Sequence, residues 1–429
     1  MSTTAARAVE SYVVQGPARL RGEVRVSGAK NSALKLFAAS LLTDEPVVIG
    51  NVPKIADIPV MADILRGLGC DVTMSADRRE ARIVASDPAW HAPADAVSRI
   101  RASISLLGPM VARCGRARLA LPGGDQIGAR AIDLHVRGLM AMGAQVEQAG
   151  NEIEVLAPNL HGAEITLDFP SVGATENLVM AALAADGRTV LDNAAREPEI
   201  QDLCGMLVAM GASIEGIGTP TIAIEGGHRL GGVTWQTCPD RIEAGTWLMA
   251  AAATGGDVTV THVNPAELKL PLMKLEAAGI ALEVGVDRIR ASGSPTQPTD
   301  FVTLPYPGFP TDLQPQMMVV LTQAPGVSMC TENVFESRYA FVDQLRRLGA
   351  DVTIDGHHAI VQGRAPMQGA RLDALDVRAG AAGVLAGLVS DGETTVVDVH
   401  HIDRGYTDFV DNLTSLGASV VRQSTVALA

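Results

Sequence analysis

The sequence predicts an α/β protein of two domains, each assembled from three copies of one helix–strand–helix–strand unit with a further strand. Three observations carry this. Six segments end alike: "ILRGLGCDV", "GLMAMGAQV", "MLVAMGASI", "KLEAAGIAL", "QLRRLGADV" and "NLTSLGASV". Each reads as an amphipathic helix, a closing glycine and an alternating strand. The glycines, Gly69, Gly143, Gly211, Gly279, Gly349 and Gly417, recur every 68 to 74 residues, a sustained internal period. A chain of 429 residues exceeds one core, so six units divide into two groups of three. Solenoid stacking is the alternative, although a unit of this length exceeds the common solenoid repeats.

The first helix of each unit comes from a second pattern, an Ala/Leu-rich run, a turn and a β-branched strand. "SALKLFAASLLTDEPVVIGNV" resembles "TENLVMAALAADGRTVLDNA", and "EAGTWLMAAAATGGDVTVTHV" and "AGAAGVLAGLVSDGETTVVDV" repeat it. The second helix and its strand follow from the glycine-closed segments. Aromatic residues make up only 3% of the chain, so the cores are built from small side chains packed closely.

Composition narrows the function. A net charge of −14 argues against nucleic acid or an anionic membrane as the main partner, and makes any local cluster of cations informative. The five cysteines are scattered, without a Cys-x-x-Cys pair, so neither a disulfide framework nor a zinc site is expected. The first residues, "MSTTAARAVESYVVQGP", lack an apolar signal core, and no apolar run reaches a membrane span of ~20 residues. A cytoplasmic protein is expected.

The polar residues at the joints between units are the candidates for chemistry. The first helices begin near Lys30 and Asn31, Arg101, Ser171 to Asn177, Arg241, Asp312 and Arg378. A cation at a helix N-terminus opposes the macrodipole, at a few tenths to ~1 kcal/mol. Each one alone reads as a solvated cap or an ion pair. As a set they read as cations facing an anion that the helix ends also favour. The loops before the second helices carry Lys54, Asp125, Arg130, Arg196, Arg338 and Arg404, and paired arginines suit carboxylate and phosphate. The histidine pairs near His357 and His400 read as turn residues, not ligands.

The motifs "SGAKNSALK", "RASISLLGP", "LPGGDQIGAR", "SVGATEN", "NAAREPEI", "FPTDLQPQ", "ENVFESR" and "HIDRGY" together resemble the UDP-N-acetylglucosamine enolpyruvyl transferase (1-carboxyvinyltransferase) family, in unbroken order from about Val14 onward. The resemblance implies two inside-out α/β barrel domains, each of three βαβαββ-type units. Residues 20–237 would form one, residues 1–19 with 238–429 the other, and the active site would lie in a cleft between them. It implies transfer of the enolpyruvyl group of phosphoenolpyruvate to the 3-hydroxyl of the sugar, with release of phosphate. This is the first committed step of peptidoglycan synthesis, and it needs no cofactor and no metal. The expected partners are these two small molecules; oligomeric state is left open.

By the same resemblance, Lys30, Arg101, Arg130, Arg338, Arg378 and Arg404 form a cationic shell around phosphoenolpyruvate and the tetrahedral intermediate. Asn31, Arg241 and Asp376 lie near the reacting centre, and Val334 is a substrate-binding position. Asp312 accepts the sugar hydroxyl proton. Asp133, Leu134, Ser171, Val172 and Gly173 contact the nucleotide. Many members carry a cysteine where this chain has Asp125, which is expected to be the general acid toward the methylene carbon. Insensitivity to fosfomycin, which alkylates that thiol, is then expected. Phe169 stands where some members have lysine, and Ala131 replaces a proline after Arg130. The rival reading is a paralogue with another acceptor, such as a nucleotide hydroxyl in antibiotic biosynthesis. 5-Enolpyruvylshikimate-3-phosphate synthase fits the motifs less well.

Overall fold

The computed structural model describes residues 8–121, 123, 128 and 132–426. They fall into two compact units. One takes residues 28–121, 123 and 132–238; the other takes 8–27, 128 and 239–426. Each has its own apolar core.

Six inner helices lead the six repeats: α1 (Lys30–Ala39), α2 (Leu107–Cys114), α3 (Val172–Ala182), α4 (Arg241–Ala253), α5 (Gln314–Thr322) and α6 (Val377–Val389). Every residue of α4 and α5 is buried, and nearly all of α6. A helix apolar on all sides belongs inside, and the Ala and Gly of these runs let the helices approach closely. In the C-terminal unit α4, α5 and α6 pack on one another and on sheets of their own repeats. This is the inside-out order: helices at the centre and sheets outside them.

The third repeat shows the whole unit. Strand Glu164–Thr166, α3, strand Arg188–Asp192, helix Pro198–Ala209, then strands Ser213–Glu215 and Thr221–Glu225 read βαβαββ. The sheet pairs Arg188–Asp192 antiparallel with Thr221–Glu225 and parallel with Glu164–Thr166. Among the described residues there are six sheets, five four-stranded and one three-stranded. In the three-stranded one the fourth strand is reduced to a single His91–Arg118 bridge. The sheets remain separate, so the barrels expected from sequence are not closed in the described residues. All six marker glycines have φ between +91° and +110°, a region costly for any residue with a Cβ.

Three repeats borrow a strand from elsewhere in the chain. Val233–Gln236 pairs with Val47–Gly50 and completes the first. Arg21–Arg25 pairs with Asp257–Thr261 and completes the fourth. Ala8–Gly16 lies between Gly392–Val397 and Ser419–Val426 in the sixth. Each borrowed strand pairs backbone groups that an open edge would leave bare. This also shifts the expected boundary. Residues 20–27 go with the C-terminal unit because 21–25 are a strand of its sheet.

One buried acid sits where the chain leaves that unit. Glu243 in α4 accepts the Ser27 backbone N–H at 3.1 Å and its Oγ–H at 2.5 Å, with Trp247 Nε1 at 3.4 Å. Burial, then the nearby Asp240, pushes its carboxyl from 4.5 up to about 7. The folded protein therefore favours the protonated acid. That stability is complete below 4.5 and is lost as pH rises to 7, up to about 3 kcal/mol. Glu243→Gln should melt higher than the parent at pH 8 and level with it at pH 4.5. Equal melting at both pH values would contradict this.

Candidate active site

In the N-terminal unit Lys30 is the first residue of α1 and Asp57 the first of helix Asp57–Gly67. Their buried side chains form an ion pair at 2.9 Å. The dipole of α1 disfavours Lys30, whereas that of the second helix favours Asp57, so the pair offsets the cost of the cation. Asn31 follows, half-buried. Arg101 opens the 3-10 turn Arg101–Leu106 that runs into α2. Asp133 and Leu134 open helix Asp133–Ala141. Asp133 is exposed and accepts from Arg137 at 3.3 Å, which also holds Asp168 at 2.7 Å. Ser171 caps α3, its Oγ accepting the Ala174 N–H, and Val172 and Gly173 begin the helix. A methyl on Gly173 would lie 3.3 Å from the His135 ring, so the Asp133 and Ser171 segments adjoin.

In the C-terminal unit the candidates gather around one carboxylate. Asp312 sits in the turn Thr311–Leu313 before α5, its side chain about a quarter exposed. It receives Arg338 Nη2 at 2.8 Å and Arg378 Nε at 3.2 Å. Both guanidiniums are buried. Arg338 also donates to Thr311 O, which pins it to the same turn. Asp376 caps α6, accepting the Arg378 and Ala379 N–H groups at 2.7 and 2.9 Å, with Arg338 Nη1 at 3.9 Å. Arg378 lies over the Tyr406 ring at 5.2 Å. Burial works against its charge, but Tyr406 and Asp312 outweigh that and raise its pKa. Among the described residues its buried Nη1 has no hydrogen-bond partner. A buried N–H left without an acceptor is costly, and an incoming anion would supply one.

Val334 joins this cluster through a residue that sequence reasoning missed. Glu332 accepts the Val334 and Phe335 N–H groups at 2.8 and 3.0 Å, while Thr311 Oγ1 donates to its other oxygen at 3.0 Å. Arg241 is the first residue of α4, buried, over the Tyr306 ring at 5.5 Å; Asp240 caps that helix. Arg404 follows the turn His400–Asp403 and precedes Gly405 and Tyr406. The Tyr406 hydroxyl is within 3.0 Å of Thr246 Oγ1 and Gln316 Nε2, which ties this segment to α4 and α5. Asp125, Arg130 and Ala131 lie outside the described residues.

Within its own unit, then, the chain brings Asp312, Arg338, Asp376 and Arg378 together and ties Val334 to them. It sets Asp133 and Leu134 beside Ser171 to Gly173. Glu332 and Tyr406 belong with the first group, and Asp57 pairs with Lys30. Asp57 had a legible signal, an acid opening a helix after a basic loop, and Tyr406 ended a motif already noted. Glu332 had none, because its role depends on a turn folding back onto Thr311.

Among the described residues no group of three or more His, Cys, Asp or Glu could hold a metal ion, and no helix is long and apolar enough to cross a membrane. The His357 and His358 rings lie 4.2 Å apart, tilted by 40°, and His358 Nδ1 is 2.9 Å from Thr331 Oγ1.

The EPSP synthase (3-phosphoshikimate 1-carboxyvinyltransferase) family matches residues 14–413. The UDP-N-acetylglucosamine 1-carboxyvinyltransferase of Corynebacterium jeikeium (strain K411) is 51% identical over 415 residues, 96% of this chain and 99% of that protein. The protein of the same name in Nocardia farcinica (strain IFM 10152) is 52% identical over 420 residues, 96% of this chain and 98% of that one. Among solved structures, the enolpyruvyl transferase NikO from Streptomyces tendae matches with a TM-score of 0.88 and 28% identity, covering 98% of this chain and 100% of that one. An EPSP synthase from Acinetobacter baumannii shares the fold at a TM-score of 0.75 and 18% identity, over 97% of this chain and 100% of that one. With its six repeats of one α/β unit and its cation-bearing helix starts, the chain belongs to the EPSP synthase family and, within it, to the UDP-N-acetylglucosamine 1-carboxyvinyltransferases.

Proposed function

We infer that the protein moves the enolpyruvyl group of phosphoenolpyruvate to the 3-hydroxyl of UDP-N-acetylglucosamine and releases phosphate, by addition and then elimination through a tetrahedral intermediate. The Asp312–Arg338–Arg378 cluster carries this reading. It offers an oxygen base held beside two buried cations, one with a nitrogen that meets no acceptor among the described residues. Asp312 takes the hydroxyl proton as the sugar oxygen bonds to the central carbon of phosphoenolpyruvate. Asp125 delivers a proton to the methylene carbon. Elimination returns a proton from the new methyl group to the Asp125 carboxylate and breaks the carbon–oxygen bond, phosphate leaving with the electron pair. Lys30, Arg101, Arg130, Arg338, Arg378 and Arg404 offset the charge of phosphate and carboxylate. Asn31, Arg241, Asp376 and Val334 line the reacting centre, and Asp133, Leu134, Ser171, Val172 and Gly173 hold the nucleotide. The substrates assign the reaction to the cytoplasm, at the entry to peptidoglycan synthesis.

The relatives of that name at 51–52% identity, against 28% for NikO, favour the amino-sugar nucleotide as acceptor. The test measures phosphate release from phosphoenolpyruvate with UDP-N-acetylglucosamine, and with UMP or shikimate 3-phosphate as competing acceptors. Release is expected with the first alone; faster release with UMP would replace this reading by the paralogue. Fosfomycin should leave turnover unchanged, because a carboxylate at position 125 is a far weaker nucleophile than a thiolate. A covalent adduct on this loop, seen by mass spectrometry, would contradict that.

A further inference from the structure

One buried amide ties together three segments of the N-terminal unit. Asn177 lies in α3, fully buried. Its Oδ1 accepts the Gly108 N–H at 2.6 Å, and its Nδ2 donates to Ile104 O at 2.9 Å. It thus bridges an N–H and a C=O four residues apart, where the 3-10 turn Arg101–Leu106 passes into α2. The approach is close: a methyl on Gly108 would lie 2.3 Å from the Asn177 carbonyl oxygen. The second Nδ2 hydrogen meets His135 Nδ1 at 2.9 Å.

Backbone groups fix this arrangement. A backbone N–H can only donate and a C=O can only accept, so the orientation of the amide is settled. His135 Nδ1 must then be the acceptor and its ring proton must lie on Nε2. Burial, then Arg101, pushes His135 down to about 4; Asp133 pulls the other way and Lys35 adds to the lowering. The imidazole is therefore neutral at physiological pH and keeps its lone pair for Asn177.

Each of the three segments carries residues assigned above to substrate. Arg101 begins the turn that Asn177 holds. His135 directly follows Asp133 and Leu134. Asn177 itself lies four residues beyond Gly173, and the His135 ring sits against that glycine. We propose that Asn177 and His135 form a positioning pair that fixes these three segments in one register, so that seating the nucleotide on two of them also sets Arg101 for phosphoenolpyruvate. The assignment of substrates rests on the function inferred above; the register does not.

The test compares Asn177→Ala, His135→Leu and His135→Gln with the parent protein. Asn177→Ala and His135→Leu should raise KM for both substrates about tenfold, as loss of a buried hydrogen bond predicts, with kcat changed less than about threefold. His135→Gln offers an amide oxygen as acceptor and should restore both KM values to near the parent. Where Asn177→Ala fails to fold, the His135 pair carries the comparison. Lower melting temperatures with both KM values unchanged would overturn the proposal. Hydrogen exchange without substrate gives a readout independent of the reaction. The variants lacking the bond should exchange faster in residues 101–108 and 132–137 and unchanged in 30–39. If the parent itself releases no phosphate, the inferred function fails. Selective deprotection would still support the positioning pair, and uniform or absent deprotection would overturn it.

Discussion

Asp125→Ala will abolish phosphate release while UDP-N-acetylglucosamine still binds. The methylene carbon of phosphoenolpyruvate must gain a proton, and no water-derived acid delivers one to carbon at a useful rate. A positioned acid contributes roughly 10² to 10⁴ in rate, so the variant should fall at least that far. A carboxyl group serves only when protonated, and its reference value of about 3.9 must rise well above that through desolvation. On the roles proposed above, the substrate would neutralise the cations that oppose this rise, so protonation should accompany substrate binding. Calorimetry with the sugar nucleotide should give a dissociation constant close to that of the parent. A turning-over alanine variant would remove Asp125 from the chemistry.

The second large effect is expected at Asp312→Asn, in both rate and stability. The amide cannot take the hydroxyl proton, so turnover should fall by about 10² or more. It also withdraws a negative charge from two guanidiniums whose side chains are 1% and 5% exposed. Asp376, Thr311 O and the Tyr406 ring remain, so the loss should be about 1 to 3 kcal/mol, less than for a wholly orphaned buried charge. Phosphate release and thermal melting measure the two effects on the same sample. Parent-like turnover by the Asp312→Asn variant would show that another group takes the proton.

Much of the architecture was legible because the repeat is written twice over, in the marker glycines and in the small-residue helices. The positive φ of Gly69 and its five counterparts is a local requirement, and local requirements leave marks in a sequence. The borrowed strands left none. Arg21–Arg25 joins a sheet whose other members lie more than two hundred residues away, and alternation alone cannot name a partner. The same divide runs through the candidate residues. Lys30, Arg101, Arg241 and Arg378 could be picked out because cations at helix starts are locally costly. Glu332 and Asn177 could not, because an acid beside a turn and an amide inside a helix acquire meaning only from Thr311, Gly108 and His135.

The strand Ala8–Gly16, seated between two strands that lie some four hundred positions later, bears on the order in which the molecule takes shape on the ribosome. Residues 28–238 contain every strand of their own unit and can fold while the remainder is still being made. The other unit must keep residues 8–16 waiting, unpaired, until residues 392–397 have emerged, and its sheet is complete only once residues 419–426 follow. Its assembly is therefore a late, long-range event, and the cell carries an exposed strand for most of the time that synthesis takes.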